Sequence, residues 1–566
     1  MQSFQDAIQD AIAEQTGLDR ASIRLERPKD VSMGDFAFPC FPLAKVQKKA
    51  PPAIAGELAG ALNAALEGIE AVATGPYVNF KIERARLATT VVSSILDSGE
   101  NYGASDRGQG KTVVVDLSSP NIAKPMHVGH LRSTIVGAAV QRMHDRLGYR
   151  TVGINHIGDW GSQFGKLVAA LDRWGDTVDL DAEPIHALLA VYVRYHEEEK
   201  TDPTLQEEAR AAFRELESGA EGHVRETWKK LTELSLREFN KVYDRLGVTF
   251  DLIRGEAYYE PYLDETVDRI VASGVTEESQ GALVVVLEEL EKNMPPALLR
   301  KTDGTTLYAT RDLAAAFSRW DEFAFERCLY VVGQEQKLHF RQLKGVLRRM
   351  GLEWEERIEH VAFGLLSLPE GKLSTREGKV VFLEDVLDRA VDEARKVMRE
   401  KNPELADLDA IAEQVGIGAL IFNDLKRERI KDVKFEWDEV LSFEGETGPY
   451  VQYTHARLAS ILRKAEAAGE GAADPDWALL EDAVPILLAL GRYPDVLESA
   501  ARKAEPSEIS QYLLGLCRDT NSWYVAHRVL GEEPALTSAR LRLVRAVGVV
   551  LRCGLTILGV AAPDEM

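Results

Sequence analysis

Cysteine is scarce in this chain. Four are spread over 566 residues, at Cys40, Cys328, Cys517 and Cys553, and none forms a CxxC pair. That scatter excludes a disulfide framework and a cysteine-based zinc site, and it fits a reducing cytoplasm. Long apolar runs are missing too. No stretch approaches ~18 uninterrupted apolar residues, so no membrane span is expected. The polar start Met1–Asp6 lacks the basic and apolar regions of a signal peptide. Positive charge is also short, with 68 Lys and Arg against 91 Asp and Glu, a net charge of −23. A polyanion needs local Lys and Arg, so this balance opposes general nucleic-acid binding, although a basic stripe can sit within an acidic remainder. The acid excess reads first as a solubility device. The chain shows no internal repeat and no long low-complexity tract.

What is present organises into three parts. Residues 1–105 form a small unit with helical faces at Phe4, Ile8, Ile12 and at Ile54, Leu58, Leu62, Leu66, and a strand-like run in Gly75–Ile82. Asn101–Gly110 reads as a linker. Residues 109–390 alternate strand signals (Val113–Leu117, Leu283–Leu287, Cys328–Val332, His360–Leu366) with helical stretches, which predicts a parallel sheet flanked by helices. Residues 184–247 look like a charged helical insertion. From 391 to 566 helical periodicity dominates, as in Ile509–Tyr524 and Leu541–Leu555, and predicts an all-α bundle. The fold class is therefore α/β: a Rossmann-type parallel-sheet domain with a small α+β N-terminal domain and an all-α C-terminal domain.

The most informative segment is His127-Val128-Gly129-His130. It follows the buried-strand signal Thr112–Leu117 and a turn with Pro120 and Pro125. It precedes apolar positions at helical spacing (Leu131, Ile135, Ala139, Met143) that end near Gly148. Strand, turn and helix in that order make a nucleotide site, with the helix N-terminus facing an anion. Two imidazoles and Lys124 can stabilise charge building at an α-phosphate, and Gly129 lets a flat base approach the backbone. A turn with two surface histidines has the same pattern. A second segment, Gly371-Lys372-Leu373-Ser374-Thr375-Arg376-Glu377-Gly378-Lys379, brackets basic and hydroxyl groups with glycines, suited to a triphosphate. Alone it reads equally as a charged surface loop.

In this order and spacing the two segments resemble the HIGH and KMSKS signatures of class I aminoacyl-tRNA synthetases. Longer matches narrow the resemblance to the arginyl-tRNA synthetases: Ser118–Arg132, Asn155–Gly165, Asp303–Ala314, Val332–Phe340 and Gly448–Arg457. The resemblance implies an arginine–tRNA ligase. Arginine would be activated by ATP to the adenylate and passed to the 2′-hydroxyl of the terminal adenosine of tRNA(Arg).

It also implies roles by position. His127, His130, Lys124, Lys372 and Arg376 would be catalytic. Gly129, His130, His339, Val361, Phe363, Gly364, Lys372 and Ser374 would hold ATP. Asp116, Asn121, Tyr308, Asp312 and Gln336 would hold arginine. Asn79 and Phe80 would contact tRNA, and separately Tyr450, Tyr453, His455 and Arg457, with Arg463 and Lys464 nearby, interleave aromatics with cations as suits a single-stranded tRNA loop. Carboxylates suit a guanidinium, which is planar and always charged. Plainer alternatives stand beside several of these. Asp116 can cap the turn after its strand, Tyr308 and Asp312 can simply start a helix, and Phe80 and the tyrosines can be core. Mg²⁺ is expected only with ATP, and no dedicated metal site is expected. No editing module is expected, because a guanidinium is distinctive enough for a polar site. A cytoplasmic monomer without a membrane partner is the default expectation. Other class I synthetases, a catalytically dead RNA-binding relative and a small-molecule nucleotidyltransferase are the competing readings.

Overall fold

The structure is a computed structural model that describes residues 1–28, 30–180, 182–367, 381–434, 436–440, 442 and 444–566. Helix α1 (Gln2–Thr16) opens the chain and stops at Gly17, whose φ of 70° suits a left-handed cap. Phe4, Ile8 and Ile12 share its buried face. Strands β1 (Phe36–Pro39), β2 (Ile69–Thr74) and β3 (Tyr77–Ile82) form an antiparallel sheet in the order β1-β3-β2. Short α2 (Phe41–Gln47), then α3 (Pro51–Ala65), join the first two strands, and α4 (Arg84–Ser98) follows the third. Prolines at the first turn of α3 cost it no hydrogen bond. The tail of this unit docks on the C-terminal bundle. Tyr102 stacks on Tyr493 at 6.0 Å and bonds the Leu490 carbonyl.

The central sheet contains β4 (Thr112–Asp116), β5 (Arg150–Asn155), β6 (Leu252–Ile253), β10 (Arg327–Tyr330) and β11 (Ile358–His360). All pairs are parallel, in the order β11-β10-β4-β5-β6. The chain moves outward from β4 in one direction, then restarts at β10 on the other side. The switch point lies between β4 and β10, where open α/β sheets place their ligands. Alternation along β4 divides two cores. Val113 and Val115 face α5 (Val128–Arg146), and Val114 faces the opposite layer. That layer holds α12 (Tyr308–Phe323) and α13 (Lys337–Arg349).

Between β5 and β6 run α6 (Ser162–Trp174), α7 (Pro184–Glu198), α8 (Thr204–Glu217) and α9 (His223–Leu246). The 184–247 segment is thus three helices, ended by Gly247 in a left-handed conformation. After β6 come α10 (Glu256–Tyr259) and α11 (Leu263–Ala272). Strands β7 (Thr276–Ser279), β8 (Ala282–Val285) and β9 (Ala297–Arg300) form a separate antiparallel sheet. The expectation that Leu283–Leu287 joins the parallel sheet is therefore corrected. Gln280 and Gly281, both with positive φ, make a two-residue turn that folds β8 back on β7. A parallel partner needs a crossover of about a dozen residues.

The expected strand His360–Leu366 also divides. Its start ends β11, and its end is β12 (Leu366–Ser367), which pairs with β13 (Val433–Lys434). Helices α14 (Leu383–Lys401), α15 (Leu408–Leu425) and α16 (Trp437–Val440) lead to the bundle of α17 (Gly448–Ala468), α18 (Val484–Lys503), α19 (Ser507–Ala526) and α20 (Pro534–Leu558). Among the described residues no helix is long and apolar enough to cross a membrane.

Candidate active site

The loop from β4 to α5 is held in an uncommon conformation. Ser118, Ser119 and Ala123 have φ of 73°, 55° and 58°. Each such non-glycine residue costs about 1–3 kcal/mol and persists only where its surroundings impose it. The surroundings are specific here. Ser118 N–H donates to Ser133 Oγ at 3.0 Å, and Ser118 Oγ lies 2.8 Å from the Tyr243 hydroxyl. Asn155 Nδ2 donates to the same hydroxyl at 3.0 Å, and its Oδ1 accepts from Ser119 N–H. Ala123 N–H donates to Ser235 Oγ at 2.8 Å. Tyr243 and Ser235 belong to α9, so the helical insertion fixes the loop that precedes the histidines. Sequence reasoning missed both. Nothing local to α9 marks them, although Asn155 opens one of the matched motifs.

The loop ends in a cap built by two imidazoles. His127 is the N-cap of α5, and its Nδ1 accepts from Gly129 N–H at 3.1 Å. His130 Nδ1 accepts from His127 N–H at 3.0 Å, and the rings lie 4.0 Å apart. A ring nitrogen that accepts carries no proton. Both neutral rings therefore hold their proton on Nε2, where it can be donated. Burial pushes His127 down from its ordinary pKa. Burial, then the neighbouring His127, pushes His130 down to about 3. The pair is neutral near pH 7 and presents two N–H donors at a helix N-terminus, an arrangement suited to an anion. Three residues before His127, Lys124 holds its ammonium 5.9 Å from the Tyr192 ring centre. Phe382 bridges His127 antiparallel and stacks on His186 at 4.3 Å.

Across the switch point, Asp312 is the open carboxylate. It sits in the second turn of α12, and Nε2 of His339 lies 2.6 Å from its Oδ2. His156 Nε2 is 4.0 Å from its other oxygen. Burial raises the Asp312 pKa, but the His339 bond, with His156 and Arg319 nearby, holds it below the ordinary value. Tyr308 is exposed at the start of α12, 5.1 Å from the His339 ring. Gln336 is exposed at the turn before α13, and Asn121 is exposed where it bridges Gly158. His339, expected on the ATP side, is the partner of Asp312.

Asp116 differs from expectation more sharply. It shares the parity of Val114, so it faces α12, and there Arg319 Nη2 donates to its Oδ2 at 2.7 Å. Ser119 Oγ donates to its Oδ1 at 3.1 Å. Arg319 is fully buried, with its guanidinium 4.8 Å from the Tyr330 ring centre. Both oxygens of Asp116 are thus engaged by the protein. The carboxylate expected to meet an external guanidinium holds an internal one. The alternative that Asp116 caps the turn is also met, through Ser119.

On the other flank, Val361 is buried and Phe363 bridges Gly333. Gly364 packs so closely that a Cβ there would lie 2.6 Å from the Lys431 carbonyl carbon. Lys372, Ser374 and Arg376, with the rest of the second signature, lie outside the described residues.

The expected RNA contacts separate. Phe80 is wholly buried and Asn79 is 3% exposed, because β3 is the central strand of its sheet. Phe80 has no free face for a base, which corrects that expectation. His455 is buried as well, and its Nδ1 contacts the Pro563 carbonyl at 3.0 Å. Tyr453 is exposed with the Arg457 guanidinium 4.9 Å from its ring, and the Tyr450 hydroxyl accepts from Asn521. Trp160, in the Asn155–Gly165 match, packs edge-on against Phe213 and Trp228.

Three family models match successive parts of the chain. They are the arginyl tRNA synthetase N-terminal domain over 2–82, the class I (R) tRNA synthetase catalytic domain over 91–437 and the DALR anticodon binding domain over 451–566. The chain is 44% identical over 571 aligned residues to an arginine–tRNA ligase of Clostridioides difficile, covering 100% of both. It is 48% identical to one of Ligilactobacillus salivarius, covering 96% of this chain and 95% of that one. Among solved structures, Thermus thermophilus arginyl-tRNA synthetase matches with a TM-score of 0.83 at 28% identity over 100% of both chains.

Proposed function

The chain belongs to the class I arginyl-tRNA synthetases, and from that premise we propose that its switch-point cleft ligates arginine to tRNA(Arg). ATP lies between the α5 N-terminus and the strand segment Val361–Gly364. Arginine lies with its guanidinium toward Asp312 and Tyr308 and its α-amino group toward Asn121 and Gln336. Asp116 supports this pocket from behind through Arg319.

The arginine carboxylate attacks the α-phosphorus, the bond to the β-phosphate oxygen breaks, and pyrophosphate leaves with the Mg²⁺ that entered with ATP. His127 and His130 donate Nε2–H to the charge that builds there, aided by Lys124, Lys372 and Arg376. The 2′-hydroxyl of the terminal adenosine then attacks the arginyl carbonyl and AMP leaves. No covalent enzyme intermediate is needed, so positioning carries most of the catalysis. Tyr453 and Arg457 on α17 supply an aromatic and a cation suited to a single-stranded loop. The enzyme acts as a cytoplasmic monomer.

The observation that carries this reading is the pairing of the two-imidazole cap with an open, ionised Asp312 at one switch point. The test is charging of total tRNA with arginine and ATP by His130→Ala. Turnover falls at least about tenfold while tRNA affinity stays, as for an interaction made in the transition state. Loss of tRNA affinity with unchanged turnover contradicts it.

A further inference from the structure

Arg132 lies two residues beyond His130 on α5 and is 1% exposed. A buried guanidinium has five N–H groups to satisfy. Arg132 satisfies four of them on two chain segments, one at Gly364 and one spanning 424–431. Its Nε donates to Asp424 at 3.1 Å, at the end of α15. Nη1 donates to the carbonyls of Gly364 at 2.6 Å and Lys431 at 3.0 Å, and Nη2 to that of Arg429 at 3.2 Å.

The segments it joins also hold each other. Gly364 N–H donates to the Arg429 carbonyl at 2.9 Å, and Leu365 N–H to Asp432 at 2.7 Å. The Arg429 guanidinium reaches back to the Ala362 carbonyl and across to that of Ala504, in the bundle. Segment 424–433 is therefore a strap across the strand segment that takes the adenine in the reading above. Arg132 ties both to the helix whose first turn donates to the phosphates. Arg132 thus links the two flanks that the reading above assigns to the two ends of ATP.

We propose that Arg132 is a positioning residue for ATP: it sets the separation between the imidazole cap of α5 and the 361–364 strand segment by anchoring the Gly364, Arg429 and Lys431 carbonyls. The inference rests on the proposed assignment of ATP to this flank. A planar fork reaches three carbonyls and a carboxylate at once, whereas an ammonium on a flexible stem does not. Arginine sits on the far side of the switch point, so its binding is insensitive to this anchor.

The test uses the full-length chain in tRNA charging, with the KM for ATP and for arginine measured separately and folding followed by thermal unfolding. Arg132→Lys raises the ATP KM at least about fivefold and leaves the arginine KM within about twofold. Arg132→Met raises the ATP KM further where it folds. Asp424→Asn keeps the three carbonyl bonds, so it lowers the unfolding midpoint but leaves the ATP KM within about twofold. Should Arg132→Met fail to fold, Arg132→Lys and Asp424→Asn decide alone. The proposal is overturned if folded Arg132→Lys moves neither constant or both equally, or if Asp424→Asn raises the ATP KM as much as Arg132→Lys does. A wild-type chain that does not charge arginine overturns the proposed function instead.

Discussion

Replacing Asp116 by Asn separates a residue that meets the substrate from one that holds its own scaffold. Arg319 is fully buried, and Asp116 provides the 2.7 Å contact to its guanidinium. Two of its nitrogens, Nε and Nη1, lie buried with no hydrogen-bond partner among the described residues. Removing one partner of such a pair leaves a charge stranded, at a cost of about 3–5 kcal/mol. For a domain of 150–250 residues, each kcal/mol lowers the midpoint by about 2–4 °C, so the expected fall is about 6–20 °C. The assay is thermal unfolding at a fixed scan rate, paired with the arginine KM measured well below the new midpoint. The arginine KM rises less than about fivefold. A midpoint within about 2 °C of wild type, together with an arginine KM raised by more than about 30-fold, refutes the assignment and returns Asp116 to the substrate.

Three further outcomes follow from the same geometry. Asp312→Asn removes charge-assisted bonds worth about 1.5–3 kcal/mol, so the arginine KM rises about 10- to 150-fold while the ATP KM stays within about threefold; equal changes in both contradict the pocket. The pH profile of kcat/KM shows no inflection near 6.5 from the cap histidines, because His130, at about 3, stays a neutral donor throughout. The same depression means that the unfolded state takes up a proton first as pH falls, so this group's contribution to stability is lost from about pH 6.5 downward to about 3; an activity inflection near 6.5 that disappears in His130→Gln contradicts this. Phe80→Ala destabilises the N-terminal unit by about 3–5 kcal/mol, whereas Phe80→Leu keeps the tRNA KM within about twofold; a Leu variant as weak for tRNA as the Ala variant points back to base stacking.

The parts legible in the sequence are those encoded locally. The β4–loop–α5 unit shows as a β-branched run, two prolines, the paired histidines and a helical repeat within some forty residues. What stayed hidden depends on distant partners. Asp116 meets Arg319 at a separation of 203 residues, and only strand parity and the placement of α12 determine that they touch. Tyr243 and Ser235 support the signature loop from a helix with no motif of its own. Whether Phe80 is a platform or core depends on β1 pairing beside β3, which alternation within one strand does not reveal. Leu283–Leu287 looks like any buried strand; its two-residue turn, Gln280-Gly281, was the overlooked signal.

The central claim is that this cleft joins arginine, and no other amino acid, to tRNA. The most direct measurement incubates the purified chain with ATP and total tRNA and offers each of the twenty amino acids in turn. Arginine alone becomes esterified to tRNA, in amounts that saturate at the tRNA(Arg) fraction. Charging with lysine or any other amino acid at a comparable rate, or no charging with arginine, contradicts the account.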